Sequence, residues 1–228
     1  MHALTLVLLL TAMVLYVMGV GRLWRRAGKG RGITIVHTMS FAAGIGLVAL
    51  AALSPLHHVA ERSLWAHMVQ HEILMVLAAP LLVLGRPVQA WQWVWPIRVP
   101  AWLSDPLLAW TVHGAAMWLW HVPGLFERAV ASEALHFAQH ASFLGSAILF
   151  WWAIVVRPHF GAMASLFTTM LHTGALGALM TFSRHPWYSG YALEDQQLAG
   201  LIMWIPAGLA YPLAALFIGS RWLRRSAA

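Results

Sequence analysis

Two stretches of the chain pair histidines at the same spacing, HMVQH (His67–His71) and HFAQH (His136–His140). Residues four apart on an α-helix lie on one face, with their Cβ atoms about 5–6 Å apart. Each pair could therefore hold one metal ion, or face a matching pair on a neighbouring helix. Because the chain contains no cysteine, a thiolate metal site is excluded.

Methionines occur at the same helical spacing as these histidines. Met75 follows His71 by four residues, and His113, Met117 and His121 repeat the interval. Imidazole ligands suit copper, zinc and iron, and thioether ligands select Cu(I). These residue types favour copper. The alternative that such histidines snorkel to the interface, bond lipid headgroups or bridge helices remains open.

The composition predicts the elements that position these side chains. The chain is 61% hydrophobic and only 9% charged, whereas soluble domains carry about 25% charged residues. Apolar runs of about 20 residues, the length that crosses a bilayer, recur along the sequence. We therefore predict an all-α, polytopic membrane protein: a single domain over residues 1–228, forming a bundle of about seven transmembrane helices. The predicted spans are 3–21, 33–53, 64–84, 106–121, 134–156, 163–182 and 198–218.

The distribution of charge predicts an orientation. Most of the 14 basic residues lie in loops 22–31, 85–105 and 157–162 and in the C-terminal tail, which seven spans place on one side. Cytoplasmic loops carry an excess of Lys and Arg. The C-terminus is therefore predicted to be cytoplasmic and the N-terminus to face outward. The net charge of +7 is mostly this orientation signal, and nucleic-acid binding is not expected.

In this orientation, eight of the 13 histidines gather at the outer side of the bundle. For the two pairs, this convergence favours metal ligation over a structural role. For His58 and His121 both interpretations remain open. The outer histidines are His57, His58, His67, His71, His121, His136, His140 and His185.

Several longer motifs resemble a known family, the caa3-type cytochrome c oxidase assembly factors known as CtaG. In order along the chain they are SPLHHVAERSLWAHMVQHEILMVLAAPLLVLGRP, WHVPGLFERAV, LHFAQH, LGALMTFSRHPWY and DQQLAGLIMWIPAG. The resemblance extends from about Ser54 to Ala207, two thirds of the chain.

This resemblance implies a multi-pass protein of the bacterial inner membrane that assists maturation of a haem–copper oxidase through copper provision. The implied partners are haem–copper oxidase subunits, a periplasmic copper donor and the lipid bilayer; a homo-oligomer is also compatible. Asp195, in the DQQ motif, is either a ligand or a helix N-cap. The motif histidines correspond to His58, His67, His71, His121, His136 and His140, which are the predicted metal ligands.

The sequence favours a copper-binding, non-enzymatic assembly factor, and three other functions are alternatives to it. The first is a membrane protein that binds haem b between histidines of two helices, since histidine is a common axial ligand. A transporter is weakly supported by Glu72, His113 and His172, which lie deeper within their spans. A metal-dependent hydrolase is disfavoured, because no carboxylate stands obviously beside the histidines to activate water.

Overall fold

The computed structural model describes residues 2–156 and 160–226, and within those ranges it contains helices and no strand. Arg157 and His159, which fall in the predicted loop 157–162, lie outside the described residues. The helices are α1 (His2–Ala27), α2 (Ile35–Leu53), α3 (Pro55–Ala60), α4 (Leu64–Glu72), a π-helix (Ile73–Ala78), α5 (Ala79–Leu84), α6 (Pro87–Trp91), a 3-10 helix (Ala101–Ser104), α7 (Pro106–Trp120), α8 (Pro123–Ala131), α9 (Glu133–Val156), α10 (Phe160–Thr181) and α11 (Leu193–Ser226).

Six helical segments of the described chain are long and apolar enough to cross a membrane, which indicates a multi-pass membrane protein. Each coincides with a predicted span; the third, Leu64–Leu84, combines α4, the π-helix and α5. At the remaining predicted span, α7 has 15 residues. At 1.5 Å per residue it is about 22 Å long, less than the roughly 30 Å of a hydrocarbon core. The total of seven spans and the orientation of the termini remain predictions.

The π-helix in the third span has an identifiable cause. Pro80 lacks a backbone N–H, and its ring clashes with the carbonyl four residues earlier in a regular α-helix. The wider π turn over Ile73–Ala78 relieves that clash immediately before Pro80. Trp151 on α9 donates its indole N–H to the carbonyl of Met75 at 3.0 Å. The 3.6-residue periodicity that aligned Met75 with His71 therefore does not continue through this segment.

The helices pack in two groups joined through the third span. One buried cluster involves α1, α2 and α5, and includes Tyr16 and Phe41, whose rings stack 3.9 Å apart. The larger cluster involves α4, α7, α9, α10 and α11. Within it α10 and α11 approach so closely that a Cβ on Gly177 would lie 2.7 Å from the carbonyl oxygen of Gly200. This larger cluster encloses the ends of the helices that carry the paired histidines.

Candidate metal centre

The two H-x-x-Q-H motifs lie side by side near the beginnings of α4 and α9. Within the motifs, the ring centroids are 4.4 Å apart for His67 and His71 and 4.3 Å for His136 and His140. Between helices, His140 lies 5.8 Å from His67 and 5.3 Å from His71. One nitrogen from each of His67, His71 and His140 lies within 4.8 Å of the other two. These three histidines form the inner site.

Each neutral imidazole of the inner site can offer one lone pair to a metal ion. Among the described residues, Nε2 of His67, Nε2 of His140 and both ring nitrogens of His71 are buried without a hydrogen-bond partner. A buried polar atom left without a partner costs about 1–3 kcal/mol, and a neutral imidazole carries one accepting nitrogen. One nitrogen from each of the three rings lies within 4.8 Å of the other two, which is close enough for a three-histidine coordination sphere, so the residues present fit a bound ion.

His121, at the end of α7, lies beside the inner site with its ring already oriented. Its Nδ1 lies 2.7 Å from the carbonyl oxygen of Met117. Because a carbonyl can only accept, Nδ1 carries the proton and Nε2 keeps its lone pair. That Nε2 is buried and unpartnered, and the ring centroid is 6.0 Å from that of His71. Metal-binding histidines commonly donate their second ring nitrogen to a carbonyl in this way.

Two aromatic side chains pack directly against the histidines of the inner site. Phe143 lies 4.5 Å from the ring of His71, and Phe126 lies 5.1 Å from that of His67. Both phenylalanines are fully buried. These apolar rings exclude water from one side of the two histidines, which strengthens the electrostatic attraction of the histidine nitrogens to a cation.

The structure does not bring His58 to the cluster; its neighbour His57 lies there instead. The side chain of His58 is 74% exposed, with Nδ1 3.9 Å from a carboxylate oxygen of Glu61. The ring of His57 stacks on that of His136 at 5.4 Å. Consecutive residues of a helix point in different directions, so α3 can turn only one of the two inward. The sequence alone did not give the rotation of this short helix, and His57 was missed as a candidate.

His57 carries a lone pair near neutral pH. Burial of its ring, reinforced by the nearby His2, lowers the pKa of His57 below its ordinary value, although Glu61 acts in the opposite direction. The ring of His2, at the beginning of α1, lies 4.9 Å from that of His57. Both histidines line a cavity of about 250 Å³ that extends inward to His67 and His140.

The glutamines of the two motifs are buried beside the histidines. Gln70 donates its amide N–H to the carbonyl of Ala51 at the end of α2, and the same nitrogen lies 3.4 Å from Nδ1 of His57. This contact joins α2, α3 and α4. Gln139 is fully buried next to His67. The glutamine of each motif thus packs beside a histidine: Gln70 beside His57 and Gln139 beside His67.

Asp195 of the DQQ motif caps a helix other than its own. Its carboxylate accepts hydrogen bonds from the backbone N–H groups of Leu64 and Trp65, at 2.8 and 3.0 Å. These groups begin α4, whose own N-cap residue Ser63 makes no side-chain capping bond. Asp195 therefore anchors the helix that carries His67, and it lies among the cap contacts rather than among the imidazoles.

The deeper polar residues lie apart from the inner site. His113 places Nδ1 3.2 Å from the hydroxyl of Ser146, and its ring stacks on Phe150 at 5.2 Å. His172 contacts Trp110. Glu72 is buried near Tyr211. The sequence places Glu72, His113 and His172 deeper within their spans than the paired histidines, and none of the three belongs to the three-histidine group.

Comparison with known proteins identifies the family of the chain. The sequence profile of the cytochrome c oxidase caa3 assembly factors matches residues 14–225. The chain belongs to this family.

Two curated relatives of the chain are uncharacterised proteins from Mycobacterium bovis and Mycobacterium tuberculosis. Each is 27% identical over 197 residues, with 70% of this chain covered. The match covers 30% of each relative, so the chain corresponds to a minor part of those longer proteins. No solved structure matches the chain significantly.

Proposed function

We propose that this protein binds copper through His67, His71 and His140 and assists its delivery to a haem–copper oxidase. The observation that carries the proposal is that one imidazole nitrogen from each of three histidines lies within 4.8 Å of the other two, in a cluster where each ring has a buried nitrogen without a hydrogen-bond partner among the described residues. His136 and His121 border the inner site and are available as further ligands. A neutral nitrogen donor set suits copper, and the oxidase-assembly family gives copper a destination.

The chemistry of the proposed site is binding and transfer. Within the part of the chain that the structure describes, the grouped ligand atoms that approach one another belong to imidazoles. Hydrolysis at a metal centre needs a base or an orienting carboxylate for the attacking water. Glu61 contacts His57 and His58 at the mouth of the cavity, outside the inner site. We therefore infer a non-catalytic role.

The packing of the rings argues against the haem alternative. Two axial histidines face each other across the flat macrocycle of a haem. The rings of His71 and His140 are instead 5.3 Å apart with an interplanar angle of 87°, packed edge to face. A porphyrin could enter only if these helices separated.

The arrangement of the helix ends supports a seven-span topology with the copper site at the outer side. The beginnings of α1, α4 and α9 meet at the histidines, together with the end of α7. At the opposite end, Arg22 donates to the carbonyl of Trp93, and Arg86 donates to that of Gly32. These contacts join two of the basic loops. We propose that this basic end is cytoplasmic and that the histidine end faces the periplasm of a bacterial inner membrane, where a copper donor can reach it.

Metal analysis of paired variants tests the proposal. The protein is purified, loaded anaerobically with Cu(I) and assayed for copper, zinc and iron by elemental analysis, with an absorption spectrum. We expect stoichiometric copper in the wild type and in His185→Ala, since His185 is exposed and, among the described residues, makes no ring contact with the cluster. We expect its loss in His67→Ala/His71→Ala, with membrane insertion retained. Unchanged copper in the double variant would refute the assignment, and a Soret band would favour haem.

A further inference from the structure

Imidazole rings form a continuous row from the surface of the protein to the inner site. The ring of His2 lies 4.9 Å from that of His57, and His57 lies 5.4 Å from His136. His136 in turn lies 5.1 Å from His67 and 4.3 Å from His140. Each step between ring centroids in this row is shorter than 5.8 Å, the largest centroid separation within the inner site.

The cavity follows the same row. Its lining includes His2, His57 and His136, and it extends to His67 and His140. A carboxylate oxygen of Glu61 lies 3.8 Å from Nε2 of His57 at the mouth. The mouth thus combines two candidate ligands, His57 and His136, with the carboxylate of Glu61, whose negative charge attracts cations. The Nε2 of His136 is buried and has no competing hydrogen bond among the described residues.

We propose that His57 and His136 form a second, shallow copper site through which the ion enters and leaves the inner site. This inference rests on the proposed function. The ion passes inward by ligand exchange: a bond to an imidazole nitrogen forms at each step as a bond to the previous ligand breaks. The copper keeps its oxidation state, and neither electrons nor protons are transferred.

The geometry gives His57 and His136 different parts in this exchange. His136 contacts both the shallow ring of His57 and the inner rings, so it can belong to either coordination sphere. The ring of His57 stacks on that of His136 and, among the described residues, makes no ring contact with His67, His71 or His140. Losing His57 should therefore slow exchange while leaving the inner site complete. His58 offers a matched control, since it is the adjacent residue, has the same side chain and points away from the cavity.

Copper release to a chelator tests the second site. Full-length protein loaded with Cu(I) is mixed with excess bathocuproine disulfonate, and the coloured complex is followed in time. Three variants are compared with the wild type: His57→Gln, His57→Met and His58→Gln. Glutamine keeps a polar side chain for the contact with Gln70 but is a poor copper ligand, whereas methionine restores a ligand for Cu(I).

Each protein is loaded with one equivalent of Cu(I), and we expect all four to retain the same amount, because the three-histidine inner site outcompetes the two-histidine shallow site for the ion. Release should be at least tenfold slower in His57→Gln, and within about threefold of wild type in His57→Met and His58→Gln, since thioether ligation supports Cu(I) exchange. Wild-type release from His57→Gln would overturn the shallow site. So would equally slow release from His57→Met, which would show that His57 acts through packing, or a lower copper content in His57→Gln, which would place His57 in the inner site. A wild type that binds no copper would instead refute the proposed function.

Discussion

Replacing Asp195 tests how the structure holds the first metal-binding helix in place. The Asp195 carboxylate is the side-chain cap for the N–H groups of Leu64 and Trp65. Substituting a capping side chain with alanine costs about 0.5–2 kcal/mol, and charge-assisted bonds such as these are stronger than neutral ones. We expect Asp195→Ala to destabilise the protein by about 2 kcal/mol. His67 lies in the first turn of that helix. In the variant, copper binding would have to order this turn, and the cost of ordering would be subtracted from the free energy of copper binding.

The assay combines thermal unfolding in detergent with competition for Cu(I). Because 1.4 kcal/mol corresponds to a tenfold change in an equilibrium constant, a cost of about 2 kcal/mol carried by copper binding should lower the copper affinity of Asp195→Ala about thirtyfold. Asp195→Asn keeps one acceptor oxygen and should be intermediate. Glu194→Ala is the control, because it removes an exposed neighbouring carboxylate from the first turn of α11 and leaves the Asp195 hydrogen bonds to α4 in place. If Asp195→Ala matched wild type in melting temperature and copper affinity, the capping contact would not position the site.

Two further predictions concern the surrounding fold. Gly177→Val should overpack against Gly200, destabilise the protein by about 1–3 kcal/mol and so lower its melting temperature. Gly208→Val should leave the melting temperature unchanged, because a Cβ added there meets no atom within 4 Å. Equal melting temperatures for the two variants would refute the close approach of α10 and α11. The hydrogen bonds that Ser189 donates lower the pKa of Glu127 below its ordinary value of 4.5. Stability from this contact is present above that value and is lost as the pH falls through the lower folded-state pKa, so acidification should reduce the melting temperature of wild type more than that of Glu127→Gln; identical pH profiles would contradict it.

The positions of the long helices could be predicted from sequence because hydrophobicity and length decide them. The predicted span 64–84 coincides with Leu64–Leu84, and 134–156 nearly coincides with α9. Hydrophobicity did not reveal the π-helix, since it depends on how Pro80 is accommodated by its neighbours. Helix α11 also begins earlier than the predicted 198, because its first turn contains charged residues that lie outside the apolar pattern.

The paired histidines were identifiable because their spacing is a local property of a helix. The sequence indicated that His67 and His71 share a face, and the structure places them beside His136 and His140. The choice between His57 and His58 required the rotation of a six-residue helix, which no periodicity determines. The capping of α4 by Asp195 joins residues 131 positions apart, and only tertiary packing reveals such a contact.

X-ray absorption spectroscopy of the Cu(I)-loaded protein tests the central claim most directly, because it reports the atoms bound to the metal. We expect a nearest shell of imidazole nitrogens from His67, His71 and His140, with the outer-shell scattering that imidazole rings produce, and loss of that pattern in His71→Ala. A shell dominated by sulfur or by non-imidazole ligands, or an identical spectrum from the variant, would contradict copper binding at this cluster.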